Sequence, residues 1–364
     1  MKLGIVGLPN VGKSSLFNAL TKANVEAANY PFSTKDVNIG VVTVPDPRLE
    51  PLRSLCNSKK PVFTTIEFSD IAGLVRGASK GEGLGNKFLG HIREAAALIH
   101  VVRCFEDENV AHVDGRVDPL SDIETINLEL ILADIETLEK RIIKTQKALK
   151  GDSGFQWELD VLGKVMGTLE KGLSARTMKL QDIEEVFVKS LELLSFKPSI
   201  YVANVSEKDV SSETENAYME KIREFAESES SGAIAVSAKI EAEISELDDD
   251  EKVLFLEELG VSESGLEQLI KASYKVLDLI SFLTTSEKEV RAWTAKKGTK
   301  APQAAGKVHS DMERGFIRAE VIAFDKLIGC GGNLLFAKEK GLIRAEGKEY
   351  TVKDGDVIHF LFNV

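Results

Sequence analysis

The run Gly7-Leu-Pro-Asn-Val-Gly12-Lys13-Ser14 constrains this chain more than any other segment. It matches G-x-x-x-x-G-K-[ST] directly after the apolar strand signal Leu3 to Val6 and ahead of a helical pattern through Phe17 and Leu20. In that setting the loop's backbone N–H groups close around a β-phosphate, and the helix N-terminus adds partial positive charge. Lys13 is placed to pair with β and γ oxygens, and Ser14 to give its hydroxyl to Mg²⁺. Such a strand-loop-helix unit belongs in an α/β fold built on a doubly wound, mostly parallel sheet.

Further strand signals fall at residues 38–44, 62–69, 97–103, 199–203 and 232–236, separated mostly by helical patterns. The gap between the fourth and fifth strands is too long for one crossover helix. Leu128, Ile131, Ile135, Leu138 and Ile142 recur at spacings of three and four, as do Leu159, Leu162, Met166, Leu169 and Leu173. Two such seams predict an antiparallel helical hairpin inserted at about 122–196 in a domain spanning 1–279. From 280 to 364 the pattern becomes short strands with turns, with signals at Phe282 to Thr285, Val290 to Thr294, Gly341 to Ala345 and Val357 to Phe362, which predicts a small α+β domain. The acidic stretch from Glu241 to Glu251 reads as a solvated face and linker.

Composition narrows the function classes. A net charge of -12 repels phosphate backbones at long range, so no DNA partner is expected and any RNA contact needs a local basic patch. The sequence holds no signal-peptide pattern and no apolar run long enough for a bilayer, so no membrane association is expected. The cysteines Cys56, Cys104 and Cys330 lie far apart and in no C-x-x-C spacing, which predicts buried thiols in a reducing cytoplasm.

Two elements follow the phosphate loop at the distances its chemistry needs. Asp70-Ile-Ala-Gly73 ends a strand, so Asp70 can hold magnesium through water while the Gly73 N–H meets a γ-phosphate. Tyr30-Pro-Phe-Ser-Thr34 lies where a switch loop brings a threonine hydroxyl to the metal. The Gly-rich residues 73–85 predict a segment that orders with the γ-phosphate and relaxes after hydrolysis. Leu74 stands where small GTPases carry a water-orienting glutamine, so hydrolysis must be slow or borrow another group. The candidates are His112, Arg76, Lys80 or a monovalent cation near Asn10.

Asn204-Val205-Ser206-Glu207 and Ser237-Ala238-Lys239 occupy the positions of a guanine-reading N-K-x-D and S-A-K pair. A guanine clamp needs a carboxylate accepting from N1–H and N2–H₂, and adenine offers neither donor. With the longer Glu207 in place of Asp and Val205 in place of the stacking Lys, adenine is the better-fitting base.

With the phosphate loop, the Asn-Tyr-Pro-Phe-x-Thr switch, the long Gly-rich run from Asp70 to Gly85 and Asn-Val-Ser-Glu assembled, the sequence resembles the YchF, or Obg-like ATPase, family over essentially its whole length. The resemblance implies a G domain with an inserted helical arm, a C-terminal TGS domain, hydrolysis of ATP in preference to GTP, ribosome binding and a part in translation and stress responses. It places nucleotide binding on Asn10, Val11, Gly12, Lys13, Ser14 and Ser15, metal ligation on Ser14 and Thr34, base reading on Asn204 and Val205, and a catalytic switch histidine on His112. Asn10 resembles the asparagine with which related enzymes recruit K⁺. Large-subunit rRNA contact would run through the helical arm and a basic face of Arg291, Lys296, Lys297, Lys300, Lys307, Arg314 and Arg318. Two competing readings are a GTPase acting in ribosome assembly and a non-enzymatic scaffold whose nucleotide only sets its shape.

Overall fold

The computed structural model describes residues 1–22, 38–71, 84–107, 110, 115–210 and 216–363. Twelve strands run through these residues: β1 (Lys2–Val6), β2 (Asn38–Thr43), β3 (Lys60–Val62), β4 (Thr65–Asp70), β5 (Ala97–Arg103), β6 (Ser199–Asn204), β7 (Gly232–Val236), β8 (Leu279–Thr285), β9 (Glu289–Lys296), β10 (Phe316–Ala323), β11 (Arg344–Glu346) and β12 (Asp356–Phe362). The first sheet has the order β2-β4-β1-β5-β6-β7. Its pairings β1–β4, β1–β5, β5–β6 and β6–β7 are all parallel. Every residue of β5 and β6 is buried, as expected of central parallel strands covered on both faces. The chain leaves β1 toward β4 on one side and returns to β5 on the other, and in open α/β sheets ligands bind beyond the carboxyl ends of strands at such a reversal.

The long gap after β5 holds the helices Pro119–Leu149 and Gln156–Leu169. They share a core of Ile131, Leu138, Leu162 and Leu169, joined by Val161 and Val165. Leu128 and Leu173, expected in the seam, are each 50% exposed. Asp118 caps the first helix by accepting from the Ser121 N–H, with Pro119 following in the first turn where its missing N–H costs nothing. Within the hairpin's base the buried Asp134 accepts from the backbone N–H groups of Leu194 at 2.8 Å and Ser195 at 2.7 Å and from the Ser195 hydroxyl at 2.6 Å.

The compact units are not continuous in sequence. One comprises Met1–Val42 with Glu67–Val276, the other Thr43–Ile66 with Leu277–Val364. The single strand expected at 62–69 is two strands, β3 in the second sheet and β4 in the first. Residues 43–66, expected inside the N-terminal domain, complete the core of the C-terminal unit. Leu49 and Leu52 of the helix Leu49–Leu55 are fully buried with Leu283, Val290 and Leu327. β3 pairs in parallel with β9, and Arg48 reaches Asp354 at 2.7 Å. The second sheet runs β11-β10-β12-β8-β9-β3, and its strand β10, second from one edge, carried no expectation from sequence. Nor is the 241–251 stretch a linker. Glu241 is 3% exposed and accepts the Gly265 N–H at 2.7 Å at the start of the helix Gly265–Val276.

Cys104 and Cys330 are buried, and burial pushes the Cys56 and Cys104 thiols up, away from the reactive thiolate form. No helix among the described residues is long and apolar enough to cross a membrane.

His100 in β5 is buried beside the Tyr201 ring, with centroids 5.4 Å apart, and burial holds its imidazole neutral by moving its pKa from 6.5 to about 3. The unfolded chain takes up this proton below 6.5 and the folded chain does not until about 3, so the group's contribution to stability is lost as pH falls through that window. It is worth about 1.4 kcal/mol per pH unit. Urea unfolding between pH 6.5 and 5.5 is expected to show a shallower loss in His100→Asn than in the parent. Equal slopes would contradict the assignment.

Candidate functional site

The turn after β1 depends on three backbone positions. A Cβ on Gly7 would lie 2.4 Å from the Val101 carbonyl, so only glycine lets the loop cross β5 this closely. Asn10 takes a left-handed φ of 63°, a conformation that Asn tolerates better than most residues. Gly12 has φ +100°, and a Cβ there would meet Asn204 Nδ2 at 2.3 Å. The helix Lys13–Lys22 then begins, and its first-turn N–H groups point into the loop.

Lys13 is 7% exposed and its Nζ donates to the Leu8 carbonyl at 2.7 Å. Burial pulls its pKa down, and the nearby Asp70 carboxylate opposes that shift. The ammonium is therefore held inside the loop by a neutral carbonyl, an arrangement that favours an incoming anion as a partner. Ser14 Oγ donates to Asp70 Oδ2 at 3.1 Å, and Asp70 Oδ1 is buried without a hydrogen-bond partner among the described residues. A hydroxyl oxygen and an under-used carboxylate fit a hard divalent cation such as Mg²⁺. Ser14 would ligate it directly and Asp70 through water.

Asn204 closes β6 and joins two loops. Its Nδ2 donates to the Val11 carbonyl at 2.8 Å and its Oδ1 accepts the Ala238 N–H at 3.0 Å. The phosphate loop and the Ser237-Ala238-Lys239 turn are thus held at a fixed separation by one buried side chain. Ser237 caps the helix Ala238–Ile244 by accepting from the Ile240 N–H. Val205 is buried and its N–H bonds the Val236 carbonyl at 3.0 Å. Glu207 forms an ion pair with Lys239 at 2.7 Å.

Between these parts lies a cavity of about 730 Å³, the size of a typical small-ligand site. Asn10, Gly12, Lys13, Ser14, Ser15, Asn204, Val205, Glu207, Ser237 and Ala238 all line it. Val11 is buried behind the loop and contributes its carbonyl to Asn204. Thr34, Gly73 and His112 lie outside the described residues, as do Leu74, Arg76 and Lys80. The sequence reading missed a whole wall, formed by Phe105, Glu106, Asp107 and Val110. The signal available was positional, since these residues follow β5, the immediate neighbour of β1.

In the C-terminal unit the proposed basic face is partly neutralised. Arg291 pairs with Glu289 at 2.8 Å, Arg314 with Asp311, and Lys300 with Glu349 at 3.6 Å. Lys296, Lys297, Lys307 and Arg318 are exposed and have no ion pair among the described residues.

Family models match both ends of the chain. One described as a 50S ribosome-binding GTPase covers residues 2–143. The YchF-type GTPase C-terminal model, described as a protein of unknown function (DUF933), covers residues 279–363. A ribosome-binding ATPase YchF from Bacillus subtilis (strain 168) is 58% identical over 362 residues, 99% of each chain. Its counterpart from Escherichia coli O157:H7 is 53% identical over 364 residues, 100% of this chain and 99% of its own. The solved YchF GTPase of Schizosaccharomyces pombe superposes with a TM-score of 0.88 at 36% identity, covering 99% of this chain and 97% of its own.

Replacing Asn204 with Ala leaves the Val11 carbonyl and the Ala238 N–H without their buried partner, at a cost of about 1–3 kcal/mol. Nucleotide affinity measured by calorimetry is expected to fall by about tenfold or more. Unchanged affinity in Asn204→Ala would show that the two loops hold their spacing without it.

Proposed function

The chain belongs to the YchF family, and from that premise we propose that it is a Mg²⁺-dependent ATPase that binds the ribosome and changes state with its nucleotide. The observation that carries the adenine preference is at the base end of the cavity. The Glu207 carboxylate, which would have to accept from guanine N1–H and N2–H₂, is engaged by Lys239 at 2.7 Å. The Ala238 N–H, a donor that a guanine O6 would need, is used by Asn204 at 3.0 Å. Asn204 Nδ2 carries two hydrogens and spends one on Val11, which leaves a donor for a purine N7 that both bases share. Shared recognition of N7, with Glu207 Oε1 already paired to Lys239 and the Ala238 N–H already used, favours adenine.

In this reading Gly7 to Ser14 cups the polyphosphate. Lys13 exchanges its bond to the Leu8 carbonyl for the β and γ oxygens, and Ser14 and Asp70, with Thr34, hold the metal. When bound, Mg²⁺ neutralises charge developing on the phosphoryl group. Gly73 presents its N–H to the γ-phosphate, His112 assists the attacking water, and Asn10 recruits K⁺. Ribosome contact falls to the large subunit, through rRNA bound by the helical arm and by Lys296, Lys297, Lys307 and Arg318. That role places the protein in the cytoplasm. A domain of residues 1–279 carrying the arm at about 122–196 and a TGS domain of 280–364 remain our division of the sequence by function, with residues 43–66 serving the second unit structurally.

A second reading, a GTPase in ribosome assembly, is favoured by the Glu207 carboxylate at the cavity wall and by the GTPase description of the matching N-terminal family model. Competition of ATP and GTP for a ribose-labelled fluorescent nucleotide separates the two. ATP is expected to compete more strongly, and Lys239→Ala, by releasing Glu207, is expected to improve GTP competition by roughly two- to fivefold. A parent protein that prefers GTP overturns the ATPase reading. Lys13→Ala is expected to lower turnover by at least about 100-fold. Binding to purified large subunits is expected to weaken steeply with salt and on reversal of Lys296 and Lys297 to Glu, and indifference to both removes the proposed footing.

A further inference from the structure

The mechanism above makes no use of Arg103, yet this side chain is among the largest that are fully buried in the protein, at 2% exposed. A guanidinium loses several kcal/mol of solvation on burial and normally recovers it against a carboxylate. Arg103 has no carboxylate at ion-pair distance among the described residues. Its charge is met by three backbone carbonyls instead: Nε donates to Phe105 at 3.0 Å, one terminal nitrogen to Val110 at 2.8 Å and the other to Asp107 at 3.1 Å. The guanidinium carbon also lies 4.8 Å from the centre of the Phe105 ring.

All three acceptors belong to one short loop, and that loop supplies the cavity wall missing from the sequence reading, through Phe105, Glu106, Asp107 and Val110. The carbonyls of Phe105, Asp107 and Val110 converge on one planar fork, which sets where these three residues stand relative to one another. The buried charge needs the loop, and the loop has the fork as its internal scaffold. The wall also starts beside the base-reading residue: Arg103 is the register partner of Asn204 across β5 and β6, and the Cys104 N–H bonds the Asn204 carbonyl at 2.8 Å.

We propose that Arg103 is a positioning residue of the nucleotide site, which holds Phe105, Asp107 and Val110 as the wall against the nucleoside while leaving the polyphosphate cradle to Gly7–Ser14. This rests on the nucleotide-site reading above. It makes a distinction that a general structural role does not: loss of the fork weakens binding of the nucleoside part and spares a ligand made of phosphates alone.

The test compares ATP and inorganic tripolyphosphate, both with Mg²⁺, as competitors of a ribose-labelled fluorescent ATP on the parent, Arg103→Met and Arg103→Lys. Thermal melting checks that each is folded. Arg103→Met removes all three bonds, and ATP is expected to weaken by about tenfold or more while tripolyphosphate shifts by less than about twofold. Arg103→Lys keeps the charge without the fork and is expected to fall between the parent and Arg103→Met, so it reads the same split if the Met variant does not fold. Equal weakening of both competitors, or no change in either, overturns the positioning role. A parent protein that binds tripolyphosphate but gains nothing from the nucleoside overturns the nucleotide-site reading together with this one, whereas tight ATP binding unaffected by either substitution overturns this one alone.

Discussion

One side-chain amide fixes the geometry on which the site depends. Asn204 spends a donor on the Val11 carbonyl and its acceptor on the Ala238 N–H, which ties the loop after β1 to the turn after β7 across the carboxyl edge of the sheet. Gly12 has no side chain because the Asn204 amide occupies the space where a Cβ would be. Parallel strands alone would bring these loops to the same edge, but not to a set spacing. The amide converts two loops into one binding surface, and the cavity is the space it leaves open.

Around that link each group sits where its chemistry is unfinished. The Lys13 ammonium is buried against a carbonyl, Asp70 keeps a buried oxygen without a partner among the described residues, and the first turn of the helix Lys13–Lys22 has N–H groups with no intrahelical acceptor. Buried polar groups that lack full partners cost stability in a folded protein; here Lys13 and Ser14 line one ligand-sized space, and Asp70 is tied to it through the Ser14 hydroxyl. The base end is the opposite case. Glu207 Oε1 accepts from Lys239 and the Ala238 N–H donates to Asn204, so both groups that a guanine would need already have partners within the protein.

The parts legible in the sequence were those whose chemistry is local. The phosphate loop could be read because glycine, lysine and serine act within eight consecutive residues, and β5 and β6 because continuous apolar runs mark buried parallel strands. What escaped was set by contacts distant in sequence. Residues 62–69 read as one strand because β-branched and apolar residues continue through it, while pairing with β9 in one sheet and β1 in the other divides it. Nothing local in Leu49 and Leu52 announces that their partners are Leu283 and Val290. Glu241 looked solvated because it begins an acidic run, and only the start of the helix Gly265–Val276 explains its burial. Arg103 is the exception: it looked like the end of an apolar strand, and although its carbonyl partners Phe105, Asp107 and Val110 are close in sequence, no residue pattern marks a backbone carbonyl as an acceptor.

The most direct measurement is a crystal structure with Mg²⁺ and a non-hydrolysable ATP analogue. The account predicts that the β- and γ-phosphates sit within Gly7–Ser14, that Lys13 Nζ has left the Leu8 carbonyl for them, and that Asn204 keeps both of its bonds while the base lies against it. A triphosphate bound elsewhere, or a Lys13 ammonium still on the Leu8 carbonyl with the analogue present, would contradict it.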